Sequence, residues 1–114
     1  IIGRGRNTVI ADNDVSSHAE INALRSASKE LNNFRLNGCS IYVTLEPCHM
    51  CAKAIVDARL DMLVFAAKEP KTGSICSIDN FLENKALNHS VKYKFGLSED
   101  ISANLLKDFF KQKR

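Results

Sequence analysis

Two cysteines separated by two residues follow a proline in the stretch V-T-L-E-P-C-H-M-C, which runs from Val43 to Cys51. Cys48 and Cys51 fall where a helix is predicted to begin, and a helix amino terminus stabilises thiolates through its free N–H groups and its dipole. Such a pair is typical of a disulfide, of a redox pair or of half of a metal site. The spacing by itself does not choose between these chemistries.

A second group of polar residues, S-H-A-E, runs from Ser17 to Glu20. One interpretation is a capping box, in which Ser17 caps a helix and Glu20 reaches back to the Ser17 N–H. The other is that His18 supplies a third metal ligand to the cysteine pair. One histidine and two cysteines leave a fourth position for water, as in catalytic zinc sites, whereas structural zinc sites have four protein ligands.

The other two cysteines, Cys39 and Cys76, are isolated and lack the spacing of a second ligand pair. A structural zinc site is therefore not favoured. An open zinc site also needs a group that takes a proton from the activated water and later returns one to the leaving group. Glu20, two residues from His18 and not needed as a ligand, is the candidate for this role.

Composition describes an ordinary single domain of 114 residues and 12.7 kDa. The net charge of +3 is mildly basic and does not by itself indicate nucleic-acid binding. The terminal K-D-F-F-K-Q-K-R fits either a solvated helix end or a phosphate-contacting tail. Without a secretory pattern or an apolar run of about 18 residues, we expect a reducing, cytoplasmic location and no membrane contact.

Hydrophobic periodicity and turn residues predict an alternation of strands and helices, hence an α/β sheet with helices on its faces. The predicted order is a strand end over 1–6, a loop over 8–17, a helix over 18–33, a strand over 40–45, a helix from Pro47 to about Leu60, a strand over 62–67, a loop over 68–78, a strand over 91–95 and a helix capped by Ser98. The strands 40–45 and 62–67 are expected to pair in parallel, because a helical crossover joins them.

Together, H-A-E and P-C-x-x-C form the signature of zinc-dependent nucleobase deaminases. The chain resembles the cytidine-deaminase-like superfamily, and within it the bacterial tRNA-specific adenosine deaminases. The resemblance extends in order along the whole chain, through the segments H-A-E-I-N-A-L, N-F-R-L-N-G-C-S-I-Y-V-T-L-E-P-C-H-M-C-A, V-F-A-A-K-E-P-K-T-G, L-N-H and D-F-F-K. Relatives begin earlier, with a helix and an edge strand that precede I-I-G-R-G-R-N.

The resemblance implies a single deaminase domain over residues 1–114, with a central mixed sheet between helices in three layers, and a homodimer. The implied reaction is hydrolytic deamination of the wobble adenosine of a tRNA anticodon to inosine, with release of ammonia. It implies one Zn²⁺ per chain, held by His18, Cys48 and Cys51. Glu20 would move protons between the water, the purine ring nitrogen and the departing amine.

The resemblance also implies a set of substrate contacts. The Asn7 side chain and the Ala19 N–H would hold the flipped-out base. The K-T-G loop and the L-N-H segment would contact the anticodon loop through Glu69, Lys71, Thr72 and Asn88. Many relatives have Asp where Glu69 stands. Phe110 would stack on unpaired bases or pack in the core, and for Phe109 a core-facing position is favoured.

Three alternatives stay open at the level of sequence. A deaminase of the same superfamily acting on guanine, cytosine or dCMP would need the same zinc chemistry. A non-catalytic zinc or RNA-binding module would have no use for Glu20. A thiol–disulfide oxidoreductase would use Cys48 and Cys51 but leave His18 and Glu20 without a role.

Overall fold

The computed structural model describes residues 1–96, and in this range the chain is an α/β structure with a parallel sheet flanked by helices. Its elements, in chain order, are α1 (Val9–Asp12), α2 (Ala19–Leu31), β1 (Ser40–Leu45), α3 (His49–Asp57), β2 (Met62–Ala67), a 3₁₀ helix (Phe81–Glu83) and β3 (Lys92–Phe95). The predicted α/β class is confirmed.

The sheet has the strand order β1-β2-β3. Ile41 pairs with Leu63, and Leu63 with Tyr93; both pairings are parallel. The mixed sheet that we expected is therefore not found within residues 1–96. The connections explain the parallel pairing. First α3 and then the long segment 68–91 carry the chain back to the end of the sheet where the strands begin, so each new strand runs in the same direction as the one before it.

The central strand β2 anchors the hydrophobic core. Leu63 and Phe65 are fully buried, which fits the apolar run M-L-V-F-A-A on both faces of the strand. Ile55 of α3 and Leu36 before β1 are buried in the same cluster. Each such side chain contributes about 1.5–3 kcal/mol through burial, so the core holds α3 against the sheet.

The bounds of β1 and β2 agree with the prediction, and three other features differ from it. The predicted loop over 8–17 contains the single helical turn α1. Pro47 does not begin α3 but precedes Cys48, which is the N-cap residue. The segment 1–6 forms no strand, and a Cβ on Gly3 or Gly5 would lie 2.5 or 2.3 Å from backbone nitrogens of α2. These glycines therefore let the segment lie directly on the helix.

The predicted C-terminal helix that Ser98 would cap, together with Phe109 and the basic tail, lies outside the described residues. Within residues 1–96, none of the helices has both the length and the apolar character needed to cross a membrane.

Candidate functional site

At the carboxyl edge of the sheet, where the parallel strands end, the segment that leads from β1 to Cys48 lies beside the loop that follows β2. β1 ends at Leu45 and leads through Glu46 and Pro47 into Cys48, and β2 ends at Ala67 and leads into the loop 68–78. The Glu46 N–H donates to the Ala67 carbonyl at 2.9 Å, which extends the pairing beyond the strands. In open α/β sheets, ligands bind outside the carboxyl ends of the strands, and this is the edge concerned.

His18, Cys48 and Cys51 converge at this edge. His18 is the N-cap residue of α2, Cys48 is the N-cap residue of α3, and the fully buried Cys51 lies in the first turn of α3. His18 Nδ1 lies 3.7 Å from Cys48 Sγ and 3.5 Å from Cys51 Sγ. Two helix amino termini thus bring a nitrogen and two sulfurs, distant in sequence, to one point.

The spacing of these three atoms fits a tetrahedral zinc ion. Their mutual distances are all within 4.8 Å. Zn–S bonds of about 2.3 Å and Zn–N bonds of about 2.0 Å place nitrogen and sulfur roughly 3.5 Å apart around a tetrahedral centre. Among the residues described, this is the one group of three or more His, Cys, Asp or Glu side chains that can hold a metal ion.

The surroundings of Cys48 lower the pKa of its thiol, which favours binding of a cation. Its hydrogen bond with the Cys51 side chain, the backbone N–H groups of Cys51 and Met50, and the charge of His18 lower the pKa of Cys48 to about 4, although burial opposes this. The lowered pKa favours the thiolate form of Cys48, which is the form that binds zinc.

Glu20 lies in the first turn of α2, two residues after the ligand candidate His18, and is 1% exposed. The alternative interpretation of Glu20 as half of a capping box is wrong. The helix begins at Ala19 with His18 as its N-cap, and no side-chain hydrogen bond caps it. A buried carboxyl group outside the His-Cys-Cys group therefore lies two residues from one of its members.

Glu46 is a residue of the site that sequence reasoning missed. Its carboxylate is fully buried and accepts hydrogen bonds from the backbone N–H groups of Glu69, Ile75, Cys76 and Ser77, at 2.7–3.2 Å, and from the Ser77 hydroxyl. Burial raises the pKa of Glu46, but the hydrogen bonds, led by that of Cys76, outweigh it and lower the pKa to about 2. A charged residue directly before P-C at the end of a strand was the available signal.

The K-T-G loop is fixed next to the cysteine pair by these contacts. Ser74 N–H donates to the Pro47 carbonyl at 2.8 Å, one residue before Cys48. The Glu69 carboxylate accepts from the Lys71 N–H at 3.2 Å, which bends the loop, while the side chains of Lys71 and Thr72 are exposed. The structure therefore places all three predicted loop residues at the edge where the His-Cys-Cys group lies.

His49, between the two cysteines, contacts the same loop and is not part of the ligand group. Its Nε2 lies 2.5 Å from an Asp79 carboxylate oxygen, and the other Asp79 oxygen accepts from the Ser74 hydroxyl at 2.6 Å. The His49 ring also meets the Phe81 ring edge to face, with the centroids 5.7 Å apart. These contacts join the first turn of α3 to the segment that follows the K-T-G loop.

Asn7 and Ala19 are both connected to the turn that carries His18. The Thr8 N–H donates to the Ser17 carbonyl at 2.9 Å, so Asn7 is next to one end of this hydrogen bond and His18 is next to the other. The Asn7 side-chain oxygen accepts from the Val9 N–H at 3.0 Å. Ala19 is the first residue of α2, where a backbone N–H has no acceptor within the helix.

Asn88 is not brought to this site within one chain. Its carbonyl accepts from the Arg59 guanidinium at 3.3 Å, and the neighbouring His89 contacts the Leu60 carbonyl at 2.6 Å. Arg59 and Leu60 precede β2, so Asn88 lies at the amino edge of the sheet, a strand length of roughly 17 Å from the carboxyl edge. The predicted residue Phe110 lies outside the described residues.

The full chain is similar to known deaminases. The MafB19-like deaminase family matches residues 1–114. Two tRNA-specific adenosine deaminases, from Haemophilus influenzae and Aquifex aeolicus, are 42% and 41% identical over 114 residues; these cover 100% of this chain and 66% and 75% of the relatives.

Two solved structures share the fold. One, from work on A-to-I editing by tRNA:A34 deaminases at the wobble position, is 41% identical with a TM-score of 0.82 and covers 91% of this chain and 75% of its own. A guanine deaminase from Bacillus subtilis is 31% identical with a TM-score of 0.60, and the match covers 100% of this chain and 76% of that one.

Proposed function

The chain belongs to the MafB19-like deaminase family, and on that premise we propose that it is a zinc-dependent tRNA adenosine deaminase, which hydrolyses the wobble adenosine of an anticodon to inosine and releases ammonia. The observation that supports this most is the His18, Cys48 and Cys51 group, which has the dimensions of a zinc site. Three protein ligands would leave a coordination position for water, and the buried Glu20 lies two residues after His18 in the first turn of α2.

In this proposal, three residues bind the metal ion and Glu20 transfers protons. Zn²⁺ held by His18, Cys48 and Cys51, one ion per chain, would supply the Lewis acidity that activates a water molecule. Glu20 accepts one proton from that water and passes it to the purine ring nitrogen as the water oxygen bonds to the ring carbon. It then accepts the second proton from this oxygen and delivers it to the amine, which leaves as ammonia while the oxygen becomes the carbonyl of inosine. The burial of Glu20 favours this role, because a carboxyl in a water-poor site exchanges protons with the bound substrate and not with solvent.

The substrate contacts that we propose are made by residues at the carboxyl edge of the sheet and by Phe110, which lies outside the described residues. The Asn7 side chain and the Ala19 N–H hold the extruded base over the metal centre. Glu69, Lys71 and Thr72 project from the fixed K-T-G loop and contact the sugar–phosphate chain of the anticodon loop, Lys71 through its charge. Phe110 stacks on an unpaired base beside the target.

The resemblance to tRNA-modifying deaminases supports two further parts of the proposal. One is that the protein acts in the cytoplasm, where tRNA is found. The other is that it works as a homodimer.

A second candidate activity is deamination of a free base or nucleotide, and the structural likeness to a guanine deaminase is the observation that favours it. Parallel assays with an anticodon stem-loop RNA and with guanine, cytosine and dCMP separate the two activities. We expect inosine in the RNA and no turnover of the small substrates. Turnover of a small substrate without RNA deamination would replace the proposed function with the second one.

A further inference from the structure

Asn22 connects the segment around Asn7 to the helix that begins at the ligand candidate His18. Asn22 lies in α2, and its N–H donates to the His18 carbonyl at 3.0 Å. Its side-chain nitrogen donates to the Arg6 carbonyl and to the Thr8 hydroxyl, both at 2.8 Å, and lies 3.4 Å from the Ser17 carbonyl. A carboxamide has two N–H groups, so the two short hydrogen bonds engage both of them.

These two acceptors, Arg6 and Thr8, flank Asn7 on either side. The segment has no strand or helix to hold it before Val9, so side-chain contacts of this kind determine its place. Gly3 and Gly5 let the preceding residues lie on α2, and the Thr8 N–H contacts Ser17. The Asn22 carboxamide is thus a side-chain link from α2 to both neighbours of Asn7, beside the backbone hydrogen bond between Thr8 and Ser17.

We propose that Asn22 is a positioning residue, which sets the distance between Asn7 and the metal centre so that the base is held in reach of Glu20. This inference rests on the proposed function, in which Asn7 contacts the base. A misplacement of about 1 Å can reduce turnover on the order of 100-fold, so a small shift of Asn7 is enough to be measured.

A double-mutant cycle between Asn22 and Asn7 tests this role. Asn22→Leu keeps the size of the side chain but removes both donors, and we expect it to lower kcat/KM for the stem-loop RNA by about tenfold, with zinc content unchanged. In the Asn7→Ala background the same substitution should cost less than about twofold, since Asn22 acts through Asn7. Equal losses in the two backgrounds, or no loss in either, would overturn the proposal.

A second measurement does not depend on activity. Asn22→Leu should accelerate hydrogen exchange of the Thr8 and Val9 amides by about tenfold or more, while the interior amides of α2 keep their protection. Unchanged exchange at Thr8 and Val9 would also overturn the proposal, whether or not the protein deaminates RNA. Asn22→Asp, which has the same shape and no side-chain N–H, should reproduce both effects if the leucine variant does not fold.

A control variant and the activity of the wild-type protein separate a failure of this inference from a failure of the proposed function. Asn84→Leu, an exposed asparagine in the segment between the 3₁₀ helix and β3, should leave kcat/KM and the Thr8 and Val9 exchange rates unchanged. Wild-type protein that forms no inosine but shows the predicted exchange would contradict the proposed function and not the link made by Asn22. Active wild-type protein with additive losses would contradict the positioning role alone.

Discussion

Gly73 packs directly against the buried carboxylate of Glu46. A Cβ atom built on Gly73 would lie 2.4 Å from Glu46 Cδ and 2.6 Å from the Glu69 carbonyl oxygen. The Glu46 carboxylate is held by four backbone N–H groups of the 69–77 segment, so it cannot move aside without breaking them. Only a glycine at position 73 therefore leaves room for the loop to bind Glu46, which follows β1 and precedes Cys48 by two residues.

Gly73→Ala is expected to destabilise the protein by about 1–3 kcal/mol and to displace the K-T-G loop, because the added methyl group overlaps atoms that are fixed. Denaturant unfolding and RNA deamination would measure the two effects. Gly38→Ala is the matched control: a Cβ there meets nothing within 4 Å, and its φ of +79° costs only about 1–2 kcal/mol of backbone strain. Similar loss of activity in both variants would contradict a specific role for the Glu46–Gly73 contact.

Removal of one metal ligand should abolish both zinc retention and turnover. Cys48→Ser and Cys51→Ser each replace a thiolate by a hydroxyl that binds zinc poorly, so metal analysis after dialysis should find well below one zinc per chain. Cys39→Ser and Cys76→Ser, which alter the two cysteines outside the group, should keep one zinc per chain. A stoichiometric metal content that depends on Cys39 or Cys76 would contradict the ligand assignment.

Substitution of Glu20 should separate metal binding from chemistry. Glu20→Gln preserves shape but cannot accept a proton, and we expect zinc to be retained while kcat falls by roughly 10²–10⁴-fold. Glu30→Gln, at an exposed position of the same helix, serves as the control and should be fully active. Retained activity in Glu20→Gln, or loss of zinc from it, would remove Glu20 from the proton-transfer role.

Lys71 should contribute a phosphate contact and not a chemical step. Lys71→Ala is expected to weaken binding of the stem-loop RNA and to reduce the slope of log affinity against log salt concentration by about 1, with kcat at saturating RNA little changed. Lys85→Ala, which alters another exposed lysine in the connection between β2 and β3, is the control and should leave the slope unaltered. An unchanged slope in Lys71→Ala would exclude this contact.

The grouping of His18, Cys48 and Cys51 and the bounds of β1 and β2 could be predicted from the sequence. Ser40–Leu45 and Met62–Ala67 have both the composition of strands and clear turn residues around them, so their bounds agree with the structure. His18, Cys48 and Cys51 could be predicted as neighbours because one histidine and two cysteines fit an open zinc site, and zinc binding itself stays a prediction. The structure brings them together through two helix amino termini.

The contacts that depend on the path of a long connection could not be predicted. The partners of Glu46 lie 23–31 residues later in the chain, and nothing local to Glu46 specifies them. Asn88 and Lys71 both belong to the connection between β2 and β3, yet they lie at opposite edges of the sheet because this connection runs back along the whole strand length. Proximity in sequence therefore gave no guide to proximity in space at these positions.

The most direct test of the proposed function is the formation of inosine by purified, zinc-loaded protein in two matched stem-loop RNAs. One carries adenosine at the wobble position, and the other carries guanosine there and adenosine one position further along the loop. Nucleoside analysis by mass spectrometry after digestion should find inosine in the first RNA, none in the second, and none in either after zinc is removed. The absence of inosine from the first RNA, or equal inosine with and without zinc, would contradict wobble adenosine deamination at the His18, Cys48 and Cys51 site.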